Sequence, residues 1–374
     1  MIFSSESKEV KQVPFVSKKL IEGYQRTKNT SQNILSAELL TTQDIYEVPW
    51  RNLTGVEHLD TSAFAVHFPQ QKALVVKGSQ SIVQDYFSYL VSSVLQVKTP
   101  LTRLVQYTDP EFKLMLNSLR SKAYSDFFLD NKISRELDRP FLVVMEYIPS
   151  VSLRTLDRNQ VSEVFSKDSE RLRQLGNTLA LDLFLNNSDR IPLIWNNEGN
   201  PNNFLVEFRE TFGNLVAIDS SCFCISNSQM MYQDYLERLF NYVKTTFEDL
   251  EEIINGRTLG KVSIQSMDPV KEFFEKHLSV SLNNSQLFQV LKGMVKGFFE
   301  VSQVEETQLL EVYESTRQYP SEDKLGFWQA GMASINLRFL RDTKAIIEKL
   351  TESHSENTSW VLSTYESDES PLYY

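Results

Sequence analysis

The stretch RPFLVVMEYIPS, Arg139–Ser150, constrains the fold more than any other part of the chain. An unbroken apolar run from Phe141 to Met145, closed by Pro149, reads as a buried strand followed by a forced stop. Upstream of it the patterns are those of strands; downstream they are mostly helical. The chain therefore divides near Tyr147–Ser152 into a strand-rich N-lobe and a mostly helical C-lobe, an α+β arrangement with a cleft at the seam.

Period-two alternation at Ala63–Phe68 and Ala73–Lys77, separated by Pro69-Gln70-Gln71, predicts a β-hairpin. Ser79 or Ser81 then caps a helix whose apolar face runs from Ile82 to Val97. LTRLVQY reads as a strand and DPEFKLMLNSLRSKAYSDFFLD as helical. Beyond Pro149, helices are expected at Ser169–Leu185, Gln229–Asn255, Pro269–Leu278, Ser285–Phe299, Glu305–Arg317 and Glu322–Leu350. Strand signals break this run at Asn203–Phe208 and Leu215–Phe223, with RETFGN as the turn between them. The resulting division is an N-terminal extension over 1–45 with one or two helices, an N-lobe over 46–148, a C-lobe over 149–350, and an acidic, mobile tail over 351–374.

A net charge of −11 disfavours nonspecific nucleic-acid binding but leaves room for a phosphate ligand held by local cations. No apolar run is long enough to span a bilayer, and MIFSSESKEVKQV is too polar for a signal peptide, so a soluble, cytoplasmic protein is expected. The two cysteines, Cys222 and Cys224, alternate as strand residues would and read as a reduced pair in a sheet. His58, His67, His277 and His354 have no zinc-site spacing.

Six positions carry a common chemistry. Lys77 ends the apolar strand ALVVK with its side chain on the cleft face, and a lysine there needs an anion. Asp85, on the next helix, can pair with it, and together they can hold nucleotide phosphates. The polar loop LNNSDRIPLIWNNEGNPNNF supplies Asp189, which can accept or orient a hydroxyl proton, and Asn203, whose amide oxygen suits Mg²⁺. Asp219 ends the strand LVAID and offers a second hard ligand. Taken singly, Lys77 could face solvent, Asp189-Arg190 could be a helix-end ion pair, and Asp219 a turn residue. Taken in order, they are the parts of a phosphoryl-transfer site.

On these residues Thr54–Phe223 resembles the protein kinase-like enzymes, and VVMEYIP resembles their linker strand. The resemblance implies a two-lobed protein kinase-like fold with ATP and Mg²⁺ as cofactors. Lys77 would hold phosphate, Asp85 would be the helix acid, and Asp189 the catalytic aspartate. Asn203 and Asp219 would bind the metal. Met145 would back the adenine pocket, with the Glu146 carbonyl and the Ile148 amide on either side of Tyr147 contacting the base. No GxGxxG loop is present; only Gly55 and GVEHLDTSAF could cover the phosphates. NSDR replaces His-Arg-Asp, the gap to Asn203 is long, and DSS replaces Asp-Phe-Gly. Within the atypical relatives, LALDLFLNNSDRIPLIWNNEGNPNNFLV followed by AIDSSCF is similar to the actin-fragmin kinase family. That likeness implies transfer to a threonine of actin, bound to a fragmin or gelsolin-type severing protein, at the actin cytoskeleton. A lipid or small-molecule kinase and a pseudokinase scaffold share much of this pattern. The near absence of positive charge in DSSCFCISNSQMMYQDYLER counts against an anionic lipid substrate.

Overall fold

The computed structural model describes residues 41–364, apart from 61, 167–168, 209–210 and 257–262. The expected extension therefore lies outside the described residues up to residue 40. Strands β1 (Thr41–Thr42), β2 (Gly55–Asp60), β3 (Ala63–Phe68), β4 (Lys72–Lys77), β5 (Thr102–Gln106) and β6 (Phe141–Glu146) form one sheet in the order β2-β3-β4-β6-β5, with β1 pairing β4. The β3–β4 hairpin lies where the alternation put it, turning through Pro69–Gln71. β2, which the sequence reading did not mark as a strand, runs antiparallel to β3.

Strand parity sorts core from cleft. Phe64, Val66, Phe68, Leu74, Val76, Leu142 and Val144 pack with Met115 and Leu119 on one face. Ala65, Ala73 and Val75 gather with Leu59 and Tyr147 on the other. Fully burying each large apolar side chain contributes about 1.5–3 kcal/mol, so slipping one strand by one residue would forfeit several such terms together. Lys77 shares parity with Ala73 and Val75, and the same register that buries Val76 aims the lysine at the cleft.

Helix α1 (Ile82–Val94) follows β4. The helical stretch between β5 and β6 is two helices, α2 (Pro110–Ala123) and α3 (Phe127–Glu136). Asp126 starts the second by accepting the Phe128 and Leu129 amides at 3.0 and 3.1 Å, which satisfies donors the helix itself cannot.

The C-lobe carries a small antiparallel sheet, β7 (Ser150–Ser152), β8 (Phe204–Phe208) and β9 (Phe212–Ala217). Its helices are α4 (Arg158–Ser166), α5 (Ser169–Leu185), α6 (Met231–Ile254), α7 (Asp268–Leu278), α8 (Asn284–Gln303), α9 (Glu306–Arg317), α10 (Phe327–Met332), α11 (Leu337–Ser353) and α12 (Ser355–Thr364). The backbones of α5 and α8 touch: a Cβ on Gly176 would lie 2.0 Å from the Val290 carbonyl oxygen, and one on Gly293 2.0 Å from that of Arg173. Neither obstacle is a side chain that can swing away. Gly293→Ala is expected to destabilise the protein by about 1–3 kcal/mol, read as a lower denaturation midpoint in guanidinium chloride.

Four sequence expectations need correction. The strand expected over Leu215–Phe223 ends at Ala217, because Asp219 takes a left-handed conformation (φ 54°) that breaks the extended chain. Cys222 and Cys224 consequently sit in irregular chain rather than a sheet, as free thiols with sulfurs 3.4 Å apart. The helix expected over Glu322–Leu350 is two, preceded by Gly326 at φ 65° and separated at the Asn336 cap of α11. Residues 351–364 are not a mobile tail: they finish α11 and form α12, where Thr358 and Val361 are buried and the Trp360 ring lies 6.3 Å from that of Phe288. Apolar residues at adjacent helical positions, rather than the acidic surroundings, decide that segment; residues 365–374 lie outside the described residues.

The C-terminal helices also brace the N-lobe. α9 and α10 pack on α1, with Tyr86 5.5 Å from Tyr319 and Trp328 4.7 Å from Phe141, ring centre to ring centre. The Tyr319 hydroxyl donates to the Leu104 carbonyl at 2.8 Å. Among the described residues no helix is long and apolar enough to cross a membrane.

Candidate active site

The interlobe cleft encloses about 510 Å³, open to solvent, and is lined by Lys77, Asp85, Val143, Met145, Asp219 and Ser220 among others. Lys77 is half-buried and forms an ion pair with Asp219, the residue at the end of the β8–β9 hairpin. The Lys77 charge also acts on Asp85, so the lysine sits between the two carboxylates. Asp85 takes hydroxyl hydrogen bonds from Ser79 (2.6 Å), Ser81 (3.0 Å) and Ser221 (2.7 Å). Burial pushes its carboxyl above the ordinary range, and the nearby Lys77 charge and the Ser79 and Ser221 hydroxyls pull it back.

Below the cleft, α5 delivers the polar loop. The helix ends at Leu185, and Asn186 turns the chain in a left-handed conformation (φ 55°), its amide bridging the Trp195 indole and the Phe223 carbonyl. Asp189 is exposed, and its Oδ2 accepts from Asn203 Nδ2 at 2.7 Å. The long gap between them closes on itself: the Asn200 amide returns to the Arg190 carbonyl at 2.9 Å. Gly199 makes this possible, since it is at φ 72° and a Cβ would meet that carbonyl at 2.4 Å. Asn203 then enters β8, and its carbonyl accepts the Ile218 amide at 3.1 Å, which sets Asn203 beside Asp219.

Arg190 pairs with a residue of the preceding helix. Its side chain has no solvent exposure and pairs with Asp182 on α5, which is also buried. The guanidinium donates in addition to the Ser220 hydroxyl and to the Ile218 carbonyl at 3.2 Å, and lies 5.9 Å from the Phe204 ring centre. It therefore ties the loop of Asp189 to the loop of Asp219 and does not reach the open cleft. Asp182 also accepts from Asn187 at 2.9 Å, while its second oxygen has no hydrogen-bond partner among the described residues.

Burial pushes the Asp182 carboxyl from 3.8 to about 6, against the lowering effect of Arg190 and Asn187. With the folded value above the unfolded one, the folded chain holds the proton more tightly across that interval. This group's contribution to stability is therefore present below pH 4 and lost as pH rises to about 6. Urea denaturation between pH 4 and 7 should show that falling component in the native chain and lack it in Asp182→Asn.

Among the described residues no group of three or more His, Cys, Asp or Glu side chains is placed to hold a metal. Mg²⁺ does not require one, because one or two carboxylates, water and substrate phosphates normally complete its shell. Asp219 and the Asn203 amide oxygen, which accepts from Asn200 Nδ2 at 3.2 Å, are hard oxygen donors of the right kind for that arrangement.

The other expected positions are distributed as follows. Met145 lines the cleft. Glu146 turns its carboxylate to the Leu101 amide at 3.2 Å, Tyr147 is buried against Ala65 and Ala73, and the Ile148 carbonyl accepts from Ser150 at 2.9 Å. Gly55 is not brought to the site: it pairs with His67 opposite Ala73, whereas Lys77 pairs with Ala63 at the other end of the sheet, beside the β2–β3 turn. Asp182, Ser220 and Ser221 were missed. A carboxylate alone in TLALDLFL was the available signal for the first, and two serines directly after Asp219 for the others.

The sequence matches the family described as "Actin-fragmin kinase, catalytic" over residues 27–298. Two Dictyostelium discoideum proteins, each named "Putative actin-fragmin kinase", are similar along most of their length. One is 25% identical over 81% of this chain and 74% of its own. The other is 23% identical over 91% of this chain and 87% of its own. A third protein of that organism with the same name is 25% identical over 73% of this chain and 62% of its own. With the family match covering well over half of its residues, the chain belongs to the actin-fragmin kinase catalytic family.

Proposed function

We propose that this chain is an ATP-dependent protein serine/threonine kinase that transfers the γ-phosphoryl group of ATP to a threonine of actin. Presentation of actin in complex with a fragmin-type severing protein, at the actin cytoskeleton, is the form of substrate that the family and the names of its relatives favour. The observation that supports the reaction type is a connected set of side chains: Lys77 pairs with Asp219 in the cleft, and Asn203, whose carbonyl accepts the Ile218 amide, bonds the exposed Asp189.

In this reading the base of ATP lies against Met145 and the Glu146–Ile148 backbone, and its phosphates against Lys77. Mg²⁺ would be held by Asn203 and Asp219, where it supplies neutralisation of phosphate charge. Asp189, fixed by the Asn203 amide, accepts the proton of the attacking hydroxyl or orients it in line. Little covalent work remains for the protein, so positioning and electrostatics supply the rate.

Lys77→Ala removes the cation opposite the phosphates and is expected to lower kcat/KM for ATP by about 10²–10³-fold. Single-turnover kinetics over a nucleotide titration would place the loss; an unaltered constant would remove Lys77 from the phosphate site. The reading itself is tested by offering labelled ATP and Mg²⁺ with free actin, actin bound to a severing protein, and a phosphoinositide. Phosphothreonine on actin supports it. Label on the lipid alone would leave the reaction type and overturn the substrate.

A further inference from the structure

Asp85 stands where the resemblance places a lysine-pairing acid, yet three of its hydrogen bonds are to serines, and one of those serines belongs to the other lobe. Ser79 and Ser81 precede α1 and fix the carboxylate at the first turn of its own helix. Ser221 is different. It lies two residues beyond Asp219, and its hydroxyl reaches Asp85 Oδ1 at 2.7 Å. Its neighbour Ser220 faces the C-lobe instead, its oxygen accepting from the Arg190 guanidinium. The two serines thus bind the Asp219 loop on both sides, to the N-lobe helix through Ser221 and to the Asp189 loop through Ser220.

We propose that Ser221 and Asp85 form a positioning couple that ties helix α1 to the loop carrying Asp219, so that Asp85 acts through a hydroxyl on the metal-binding aspartate as well as through its charge. The inference rests on the phosphoryl-transfer reading of the cleft. Three features support it. Asp219 is held in a left-handed conformation (φ 54°), a backbone state that a non-glycine residue keeps only when its neighbours are fixed. Ser221 is buried, so its bond to Asp85 is sheltered from competing water. The far side of α1 is already braced: a Cβ on Gly331 of α10 would lie 2.5 Å from Val83 Cγ2, and Tyr86 packs 5.5 Å from Tyr319. A helix fixed from outside and bonded from inside gives the Asp219 loop a rigid reference.

An aspartate is suited to this task. Its short side chain leaves the carboxylate near the helix start, within reach of Ser79, Ser81 and Ser221 together. An asparagine at the same place keeps an acceptor for Ser221 and loses the charge that Lys77 feels, which makes the two roles separable.

The test compares Ser221→Ala, Asp85→Ala, Asp85→Asn and the Ser221→Ala/Asp85→Ala double variant. Backbone hydrogen exchange over residues 219–223 is measured alongside kcat and KM for ATP at saturating Mg²⁺. The expected result is about ten-fold faster exchange and a kcat loss of at least a few-fold in both alanine variants, with no further loss in the double variant. Asp85→Asn is expected to restore the exchange protection and part of the lost kcat. Additive losses in the double variant, unchanged exchange in Ser221→Ala, or an Asp85→Asn protein as unprotected as Asp85→Ala would each overturn the couple. Should the native chain transfer no phosphate, the functional reading fails, while the exchange comparison still decides the couple.

Discussion

The Asp189→Asn protein is expected to bind ATP nearly as well as the native chain and to transfer phosphate about 10²–10⁴-fold more slowly. The expectation follows from what the substitution keeps. Asp189 Oδ2 accepts from Asn203 Nδ2 at 2.7 Å, and an asparagine at 189 still presents an oxygen to that donor. The loop is therefore retained, and the nucleotide contacts assigned to Lys77 and Asp219 are untouched. Only the basic oxygen that takes or orients the substrate proton is lost. A loss in kcat without a matching rise in the ATP dissociation constant, measured by rapid quench and by calorimetric titration, is the predicted signature. A variant with most of its rate would show that Asp189 is not the proton acceptor.

Arg190→Met carries the largest expected effect on stability. The native guanidinium meets Asp182, Ser220 and the Ile218 carbonyl away from bulk solvent, and it neutralises a carboxylate that is almost fully buried. Methionine fills similar volume but takes a donor from all three acceptors and leaves the Asp182 carboxylate with only the neutral Asn187 amide. Removing one partner of a buried ion pair typically costs about 3–5 kcal/mol, far above the value of an exposed pair. A drop of that size in the denaturation free energy is expected, with reduced phosphate transfer in whatever folded protein remains, because the Asp189 and Asp219 loops are then joined through Asn203 without the guanidinium. A shift below about 1 kcal/mol would place Arg190 among ordinary surface ion pairs. Asp182→Asn/Arg190→Met, which removes both charges, should recover much of the loss, since it is the unpaired charge that is costly.

How much of this was legible in the sequence differs by the range of the interaction. Strand alternation at Ala63–Phe68 and Ala73–Lys77 is a local pattern, and it placed both the hairpin and the cleft-facing lysine. The helix at Ser169–Leu185 and the hairpin after Asn203 followed from patterns of the same kind. What the sequence could not display is which partner a charge chooses. Lys77 is eight residues from Asp85, yet its ion pair is with Asp219, 142 residues away. Sequence proximity pointed to the helix acid; the fold adds the hairpin end as a partner. Arg190 was ambiguous for the same reason, because its meaning depends on the inward face of α5 and on the chain after β9. The expected strand through Cys222 failed because alternation alone cannot reveal the left-handed turn at Asp219. The acidic tail was misjudged on composition, which averages over the Trp360 and Val361 positions that pack α12.

The most direct measurement is a crystal structure of the chain with a non-hydrolysable ATP analogue and Mn²⁺ in place of Mg²⁺, located by its anomalous signal. The account predicts the metal bonded to the Asp219 carboxylate and the Asn203 amide oxygen, phosphate oxygens on Lys77, and Asp189 facing the terminal phosphate. Nucleotide bound elsewhere on the chain, or metal held without Asn203 and Asp219, would contradict it.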